Sequence, residues 1–333
     1  MLRPQVVQTR LLYQLLRCYA SSATTRIFPS INKPTSARIA VFCKEEGLPQ
    51  SNFELNPPNQ FPAARLHSID VGASEAAGVL LYFHGGGYTH PISMGHLRLS
   101  NLLSKVMRCN ELCLLEYTLL PEGTYPTQLA QATEALRSLL KTYEPQQIAI
   151  AGDSAGANLV LSLLAHLKTP HPQVPHVSVP SKLASSICIS PRCSNHTSAP
   201  SFTYNAQKDY IDANAVKAFI TAWQPRNDEV WAAANNGGKV FWADRNAIWA
   251  ERMLVIAGEH ECYIDDIRIF ADFVSSTEAE SMGVDTGMQF FIAKGAMHAQ
   301  TILDLAVGKE QGSMTSGLLE WATRNPVAAR RSK

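Results

Sequence analysis

A serine that could act as a nucleophile stands between an apolar strand and a helix. Residues 146–151 read QQIAIA and favour a buried strand, and the helical run that follows begins with Gly152-Asp153-Ser154-Ala155-Gly156. A G-x-S-x-G sequence in this frame turns the chain sharply and exposes the serine oxygen above the sheet. The two glycines leave room for neighbouring backbone, and the N-terminus of the helix stabilises negative charge. The pattern predicts that Ser154 attacks acyl carbonyls, with Gly152, Asp153 and Gly156 supporting it.

Three consecutive glycines follow another apolar strand. After LLYF the chain reads His84-Gly85-Gly86-Gly87, a poor structural choice unless backbone N–H groups must face something. The tetrahedral intermediate of acyl transfer supplies that need, because its oxyanion requires preorganised donors. We assign an oxyanion hole to Gly85, Gly86 and Gly87 with the N–H of Ala155, and we expect His84 to anchor the loop. A glycine-rich turn or a phosphate loop is the alternative, but neither G-K-[ST] nor G-x-G-x-x-G is present.

These motifs resemble those of the hormone-sensitive-lipase-like esterases, which are bacterial family IV with its GDXG motif. The resemblance also includes a block similar to D-Y-R-L-A-P-E…Y-P, and it extends over roughly residues 78–300. The segments that carry it are residues 84–87, 116–122, 125–126 and 152–156. Two positions depart from the family pattern: Thr118 stands where Arg is usual, and Gln131 stands near the usual acidic residue. We expect both departures to affect packing rather than chemistry.

The resemblance also indicates the other two members of a catalytic triad. Residues 253–258 read as a strand that runs into a loop, and Glu261 stands at the acidic position of the family's G-x-x-D segment. A glutamate can fill this role, because it must only accept the imidazole N–H and stabilise the imidazolium. Glu259 and Asp265 are the rivals. His298, just past the last predicted strand, is the expected base and completes the order Ser…Glu…His.

The resemblance implies hydrolysis of a carboxylic ester through an acyl-enzyme, without a cofactor. The Gly258-Glu259-His260-Glu261 variant is similar to fungal hydrolases of this family, some of which serve secondary metabolism. This suggests an acetyl ester, a short- to medium-chain acyl ester or a lactone of a mid-sized apolar molecule. Two alternatives remain open: acyl transfer or amide hydrolysis by the same triad, and a non-catalytic receptor for a small ligand.

Composition excludes several other classes of function. The chain has 333 residues, of which 46% are hydrophobic and 17% charged, and its net charge is +1. A net charge this small creates no overall electrostatic attraction for nucleic acid. No apolar run is long enough to span a bilayer. The seven cysteines include no C-x-x-C pair, and the remaining histidines lack partners at metal-ligand spacing, so we expect no metal site. The expected partner is a small-molecule ester, and a homodimer is left open.

The N-terminus differs from the rest of the chain. Before Glu45 there is no acidic residue, whereas arginines and lysines recur and residues 6–16 can form an amphipathic helix. This composition is typical of a mitochondrial presequence, here residues 1–19. An N-terminal cap helix over the site is the alternative, with a cytoplasmic location.

The elements that carry these residues alternate along the chain between predicted strands and predicted helices, which predicts an α/β fold. We expect a single α/β-hydrolase domain over residues 20–333, with a mostly parallel, doubly wound sheet. Residues 194–248 contain no clear strand and predict a cap insertion that the N-terminal region completes; a crossover connection is the alternative. The predicted strands are 64–71, 79–83, 112–117, 147–152, 185–190, 253–257 and 288–292, and the predicted helices are 95–106, 127–142, 155–167, 265–275 and 300–306.

Overall fold

The structure is a computed structural model that describes residues 34–58, 60–72, 78–244, 249–275 and 287–327. The segment 1–19, for which a presequence or a cap helix is predicted, lies outside these residues. The mitochondrial location therefore stays a prediction.

The described residues form a single eight-stranded sheet in the order β1-β2-β4-β3-β5-β6-β7-β8. β1 and β2 pair antiparallel, as do β2 and β4, and every other neighbouring pair is parallel. The carboxyl ends of the parallel strands therefore meet at one edge, where ligands bind in open α/β sheets. The strands are β1 Gln50–Leu55, β2 Ala64–Asp70, β3 Gly78–Phe83, β4 Cys109–Glu116, β5 Ile148–Asp153, β6 Leu183–Ile189, β7 Ala250–Gly258 and β8 Met288–Ala293.

Helices cover both faces of the sheet, as predicted. The central strands are apolar throughout, so alternate side chains fill two cores: Val79 and Leu81 point to one, and Leu80 and Tyr82 to the other. The helices are α1 Thr35–Glu46, α2 Met94–Val106, α3 Thr127–Leu139, α4 Ala155–Lys168, α5 Ser201–Tyr204, α6 Ala213–Trp223, α7 Gly238–Trp242, α8 Ile264–Val274, α9 Gln300–Ala306 and α10 Ser313–Arg324.

Outside the insertion, three of these elements were not predicted from the sequence. β1 lies at the edge of the sheet with five of its six residues exposed, so its sequence QSNFEL lacks the apolar alternation that marks a half-buried strand. The helices α1 and α10 lie against the core that also contains α2. In α1 four of twelve residues are buried, and in α10 five of twelve are buried, at helical spacing along one face.

The insertion between β6 and β7 packs over the carboxyl edge of the sheet. Its described part, residues 194–244, forms α5, α6 and α7, and no strand occurs within it. In α6, the Trp223 carbonyl accepts a hydrogen bond from the Tyr125 N–H at 3.0 Å. The Phe219 ring lies close to Gly87, because a Cβ added at Gly87 would be 2.9 Å from the nearest ring carbon. We propose that this segment acts as a cap, because it contacts the loops that carry the candidate active site.

Candidate active site

Ser154 occupies a strained corner between β5 and α4. Its φ is 52° and its ψ is −115°, a conformation that non-glycine residues rarely adopt. The flanking glycines make the corner possible, because a Cβ at Gly156 would lie 1.9 Å from the Phe83 carbonyl oxygen. A Cβ at Gly152 would lie 2.5 Å from Gly156. The geometry presents the Ser154 side chain at the carboxyl edge of the sheet.

The structure brings Ser154, His298 and Glu261 together from three loops. The His298 Nε2 lies 2.7 Å from the Ser154 Oγ, and its Nδ1 lies 3.2 Å from the Glu261 Oε2. The side chains of His298 and Glu261 are both buried. Burial lowers the pKa of His298, but the hydrogen bond and charge of Glu261, together with the charge of Asp209, outweigh it and raise that pKa above its usual value. The arrangement can take a proton from Ser154 and stabilise the imidazolium that results.

Glu261 itself is held on its far side. The Ser190 hydroxyl and the Gly258 N–H both donate to Oε1 of Glu261, which leaves Oε2 for the imidazole. The Ser190 oxygen in turn accepts the Ala299 N–H at 2.9 Å, next to His298. These contacts fix the carboxylate relative to the histidine loop.

The rival acids point elsewhere. Glu259 is exposed and accepts the Gly295 N–H at 2.9 Å. Asp265 accepts the Ser201 N–H at 2.9 Å and the Tyr204 hydroxyl at 2.6 Å. Neither carboxylate is bonded to His298.

A fourth carboxylate, Asp209 in the insertion, joins the loops of the triad. It accepts the Cys262 N–H at 2.8 Å and the backbone N–H of His298 at 3.2 Å. Burial raises the pKa of Asp209 to about 6, against the opposing effect of nearby His298. No role for Asp209 was predicted from the sequence. The available signal was a lone acid before an aromatic residue in Asp209-Tyr210, which does not identify a positioning residue.

The glycine loop faces the cavity beside Ser154. Gly86 and Gly87 have φ values of +108° and +62°, which favour glycine, and both line the cavity with Ala155. The prediction for Gly85 is wrong in one respect: its N–H donates to the Asp153 carboxylate at 2.9 Å and is not available to an oxyanion. The donors that remain are the N–H groups of Gly86, Gly87 and Ala155.

Asp153 fastens the glycine loop to the nucleophile corner. It also accepts the Tyr82 hydroxyl at 2.8 Å and lies 3.2 Å from the His96 Nε2. Burial raises the pKa of Asp153, but the charge and hydrogen bond of His96, together with bonds from Tyr82 and Gly85, lower it overall. The carboxylate is therefore charged and satisfied, which suits a supporting role.

His84 lies under the same loop as a neutral imidazole. Burial, and then the charge of His96, lowers its pKa to about 4. Its Nδ1 lies 2.7 Å from the Gly85 carbonyl oxygen, and its ring stacks on Tyr117 at 4.4 Å between centroids. The Tyr117 hydroxyl donates to the His84 carbonyl at 2.7 Å. These contacts hold the start of the glycine loop.

The two departures from the family pattern bond to each other. The Gln131 Nε2 donates to the Thr118 Oγ1 at 2.6 Å, and the Thr118 N–H donates to the Gln131 Oε1 at 2.9 Å. Gln131 also donates to the Pro62 carbonyl at 2.9 Å. A neutral pair thus stands where the resemblance implies a basic and an acidic residue, and its contacts are with packing elements.

The cavity at Ser154 is mostly apolar and has a volume of about 220 Å³. The insertion contributes Tyr210, Ile211, Phe219 and Ile220 to its wall, and α1 contributes Arg38. Across the ranges described, no cluster of three or more His, Cys, Asp or Glu side chains could hold a metal ion. In the same part of the chain, no helix is long and apolar enough to cross a membrane.

Comparisons with known proteins identify the fold family. Residues 80–298 match a family described as alpha/beta hydrolase fold, which confirms the predicted fold. An acetyl-hydrolase of Streptomyces hygroscopicus is 34% identical over 113 residues, which are 34% of this chain and 35% of that protein. Steryl acetyl hydrolase 1 of Saccharomyces cerevisiae is 26% identical over 196 residues, 56% of this chain and 43% of its own. The chain thus spans less than half the length of these two relatives.

Among solved structures, an esterase from the bacterial hormone-sensitive lipase family superposes with a TM-score of 0.65 at 22% identity. The superposition covers 98% of this chain and 99% of that protein. At this identity the likeness concerns the fold.

Proposed function

The chain belongs to the α/β-hydrolase fold family, and on this premise we propose that it is a serine esterase. One observation carries the proposal: the Ser154 Oγ is 2.7 Å from the His298 Nε2, while Glu261 holds the opposite nitrogen of the same ring. This is the arrangement that activates a serine for attack on an acyl carbonyl.

In the first half of the reaction, Ser154 attacks the ester carbonyl and His298 takes its proton. The oxyanion that forms accepts hydrogen bonds from the N–H groups of Gly86, Gly87 and Ala155, which line the cavity. The C–O bond to the alcohol then breaks, and His298 protonates the departing alkoxide. Ser154 is left as an acyl ester.

In the second half, water replaces the alcohol. His298 takes a proton from the water as its oxygen attacks the acyl carbon, and the same donors hold the second oxyanion. The bond to Ser154 breaks, and the serine oxygen recovers its proton from His298. Apart from the ester and the water, the groups that take part in each step belong to this chain.

We propose acetyl or other short acyl esters of mid-sized apolar alcohols, or lactones of similar size, as the substrates. The apolar wall contributed by Tyr210, Ile211, Phe219 and Ile220, together with the volume of about 220 Å³, supports this size and character. The names of the two relatives, an acetyl-hydrolase and a steryl acetyl hydrolase, also support an acetyl group. A role in secondary metabolism stays a proposal that rests on the fungal resemblance.

The test is turnover of p-nitrophenyl esters from acetate to decanoate by the parent and by Ser154→Ala. We expect hydrolysis by the parent, an optimum at short acyl chains, and loss of nearly all activity in the variant. Ser186→Ala is the matched control, because its hydroxyl is buried in β6 and has no partner in the described structure. A folded parent that is as inactive as Ser154→Ala would overturn the proposal, and added alcohol acceptors would reveal acyl transfer.

A further inference from the structure

A single arginine side chain is buried in the cavity wall close to the nucleophile. Arg192 follows β6 by three positions and is 5% exposed, yet its side chain lines the same cavity as Ser154. Its backbone N–H donates to the Ser154 carbonyl at 3.4 Å. The arginine is therefore tied to the nucleophile corner itself.

The partners of this guanidinium are all neutral. It donates to the Asn158 Oδ1 at 2.8 Å and to the Asn195 Oδ1, and it is hydrogen-bonded to the Tyr88 hydroxyl. It also lies 4.6 Å from the centre of the Trp223 ring. Within the described ranges, no carboxylate lies within ion-pair distance of it. The two amide oxygens and the aromatic ring offset only part of the desolvation of a buried cation.

The carboxylates of the site are already engaged with histidines. Asp153 faces the His96 ring, Glu261 faces the His298 ring, and Asp209 accepts the backbone N–H of His298. Burial lowers the pKa of Arg192, although an arginine side chain stays charged in proteins. The cavity wall therefore holds a positive charge that the described protein groups do not neutralise.

The shape of the Arg192 guanidinium indicates which kind of ligand would bind its remaining N–H donors. A guanidinium has five N–H donors in a planar fork, and the hydrogen bonds to Asn158, Asn195 and the Tyr88 hydroxyl engage only some of them. That fork matches the two oxygens of a carboxylate better than any neutral group. Because the site is buried, the attraction would be stronger and less screened by salt than at the surface.

Building on the esterase function proposed above, we propose that Arg192 binds a carboxylate of the substrate. The preferred substrate is then an ester that also carries a free carboxylate, on either its acyl or its alcohol portion. The surrounding wall contacts the apolar remainder, and Arg192 orients the ester over Ser154.

The experiment compares esters of matched size that differ in charge. On the acyl side the pair is mono-p-nitrophenyl glutarate and p-nitrophenyl hexanoate. On the alcohol side the pair is para-carboxyphenyl acetate and para-isopropylphenyl acetate. Rates are corrected for spontaneous reaction, and each pair is reported as the ratio of kcat/KM for the anionic ester to that for the neutral ester. We expect this ratio to be at least about tenfold in favour of the anionic ester in one pair, and to persist in high salt.

Two substitutions test whether Arg192 causes the preference. In Arg192→Gln we expect the ratio to fall to about one, while Arg192→Lys keeps part of it because the charge remains. Arg38→Gln is the matched control, since Arg38 also lines the cavity but belongs to α1. Should Arg192→Gln fail to fold, thermal shift of Ser154→Ala with each glutarate-pair ester takes its place, and only the anionic ester should stabilise the protein.

The outcomes separate the two proposals. Hydrolysis of the neutral esters without any preference for the anionic ones overturns the role of Arg192 and leaves the esterase standing. A preference that disappears in Arg38→Gln but survives in Arg192→Gln also overturns that role. Absence of hydrolysis with all four esters, in a folded parent, overturns the esterase itself.

Discussion

Replacement of Glu261 by glutamine has a predictable result, because the surroundings fix which way the amide must point. The Ser190 oxygen accepts the Ala299 N–H, so its own hydrogen is directed at the Oε1 of Glu261. The Gly258 N–H is directed at that same oxygen. An amide nitrogen cannot face two donors, so the glutamine oxygen must stay there, and its NH₂ group must face His298.

An NH₂ group in place of a carboxylate oxygen prevents His298 from acting as the base. With a donor facing it, the Nδ1 of His298 must accept a hydrogen bond, which places the proton on Nε2, 2.7 Å from the Ser154 Oγ. A protonated Nε2 cannot take the serine proton. Enzymes with this triad lose about 10⁴ in rate when the wrong tautomer is enforced, which is about 5 kcal/mol of transition-state stabilisation. We expect a loss of that size in kcat for Glu261→Gln.

The assay is p-nitrophenyl butyrate hydrolysis as a function of pH, with melting temperature as the check on folding. Because Glu261 raises the pKa of His298, the acidic limb of kcat/KM should move to lower pH in the variant. Glu259→Gln is the matched control, since that side chain is exposed and accepts a hydrogen bond from the Gly295 N–H. Activity of Glu261→Gln within about tenfold of the parent, with an unmoved limb, would refute the assignment of Glu261.

Three further substitutions have expected outcomes. Asp209→Ala leaves two buried N–H donors without an acceptor, which costs about 1–3 kcal/mol for each donor. Calorimetry should therefore show a lower melting temperature, and kinetics should show at least about a tenfold lower kcat/KM. An unchanged melting temperature would contradict the positioning role. Gly87→Ala places a Cβ 2.9 Å from the Phe219 ring and should lower kcat by about 10²-fold in steady-state assays. Gly295→Ala is the control: its φ is also positive, at +68°, but no atom lies within 4 Å of the added Cβ, so only stability should change. Burial raises the pKa of Asp266 from 3.8 to about 7, so the ionised carboxylate destabilises the fold increasingly as pH rises between those values. Asp266→Asn should therefore raise the free energy of unfolding by about 1–3 kcal/mol at pH 8 and by less at pH 5, as measured by denaturant titration; equal gains at both pH values would count against this account.

Most of the sheet and the nucleophile corner could be predicted from the sequence, because their causes are local. A buried parallel strand is an apolar run, and a strand-to-helix turn that forces φ to 52° at Ser154 requires small neighbours such as Gly152 and Gly156. The glycine loop could also be predicted, since the positive φ values at Gly86 and Gly87 favour glycine. The edge strand β1 was not predicted because five of its six residues are exposed. The helix α10 was also missed, although Met314, Leu318 and Trp321 are buried at helical spacing and that pattern is present in the sequence.

Contacts between distant parts of the chain were decided by the tertiary structure alone. Asp209 reaches His298 across 89 positions, and the Gly85 N–H reaches Asp153 across 68, so neither pairing leaves a periodic trace in the sequence. The neutral surroundings of Arg192 are of the same kind, because a guanidinium acquires its environment only when Asn158 and Trp223 fold around it. Residue type and spacing along the chain thus determined which groups could react. Their partners, charges and burial depend on separations in space, which only the folded chain defines.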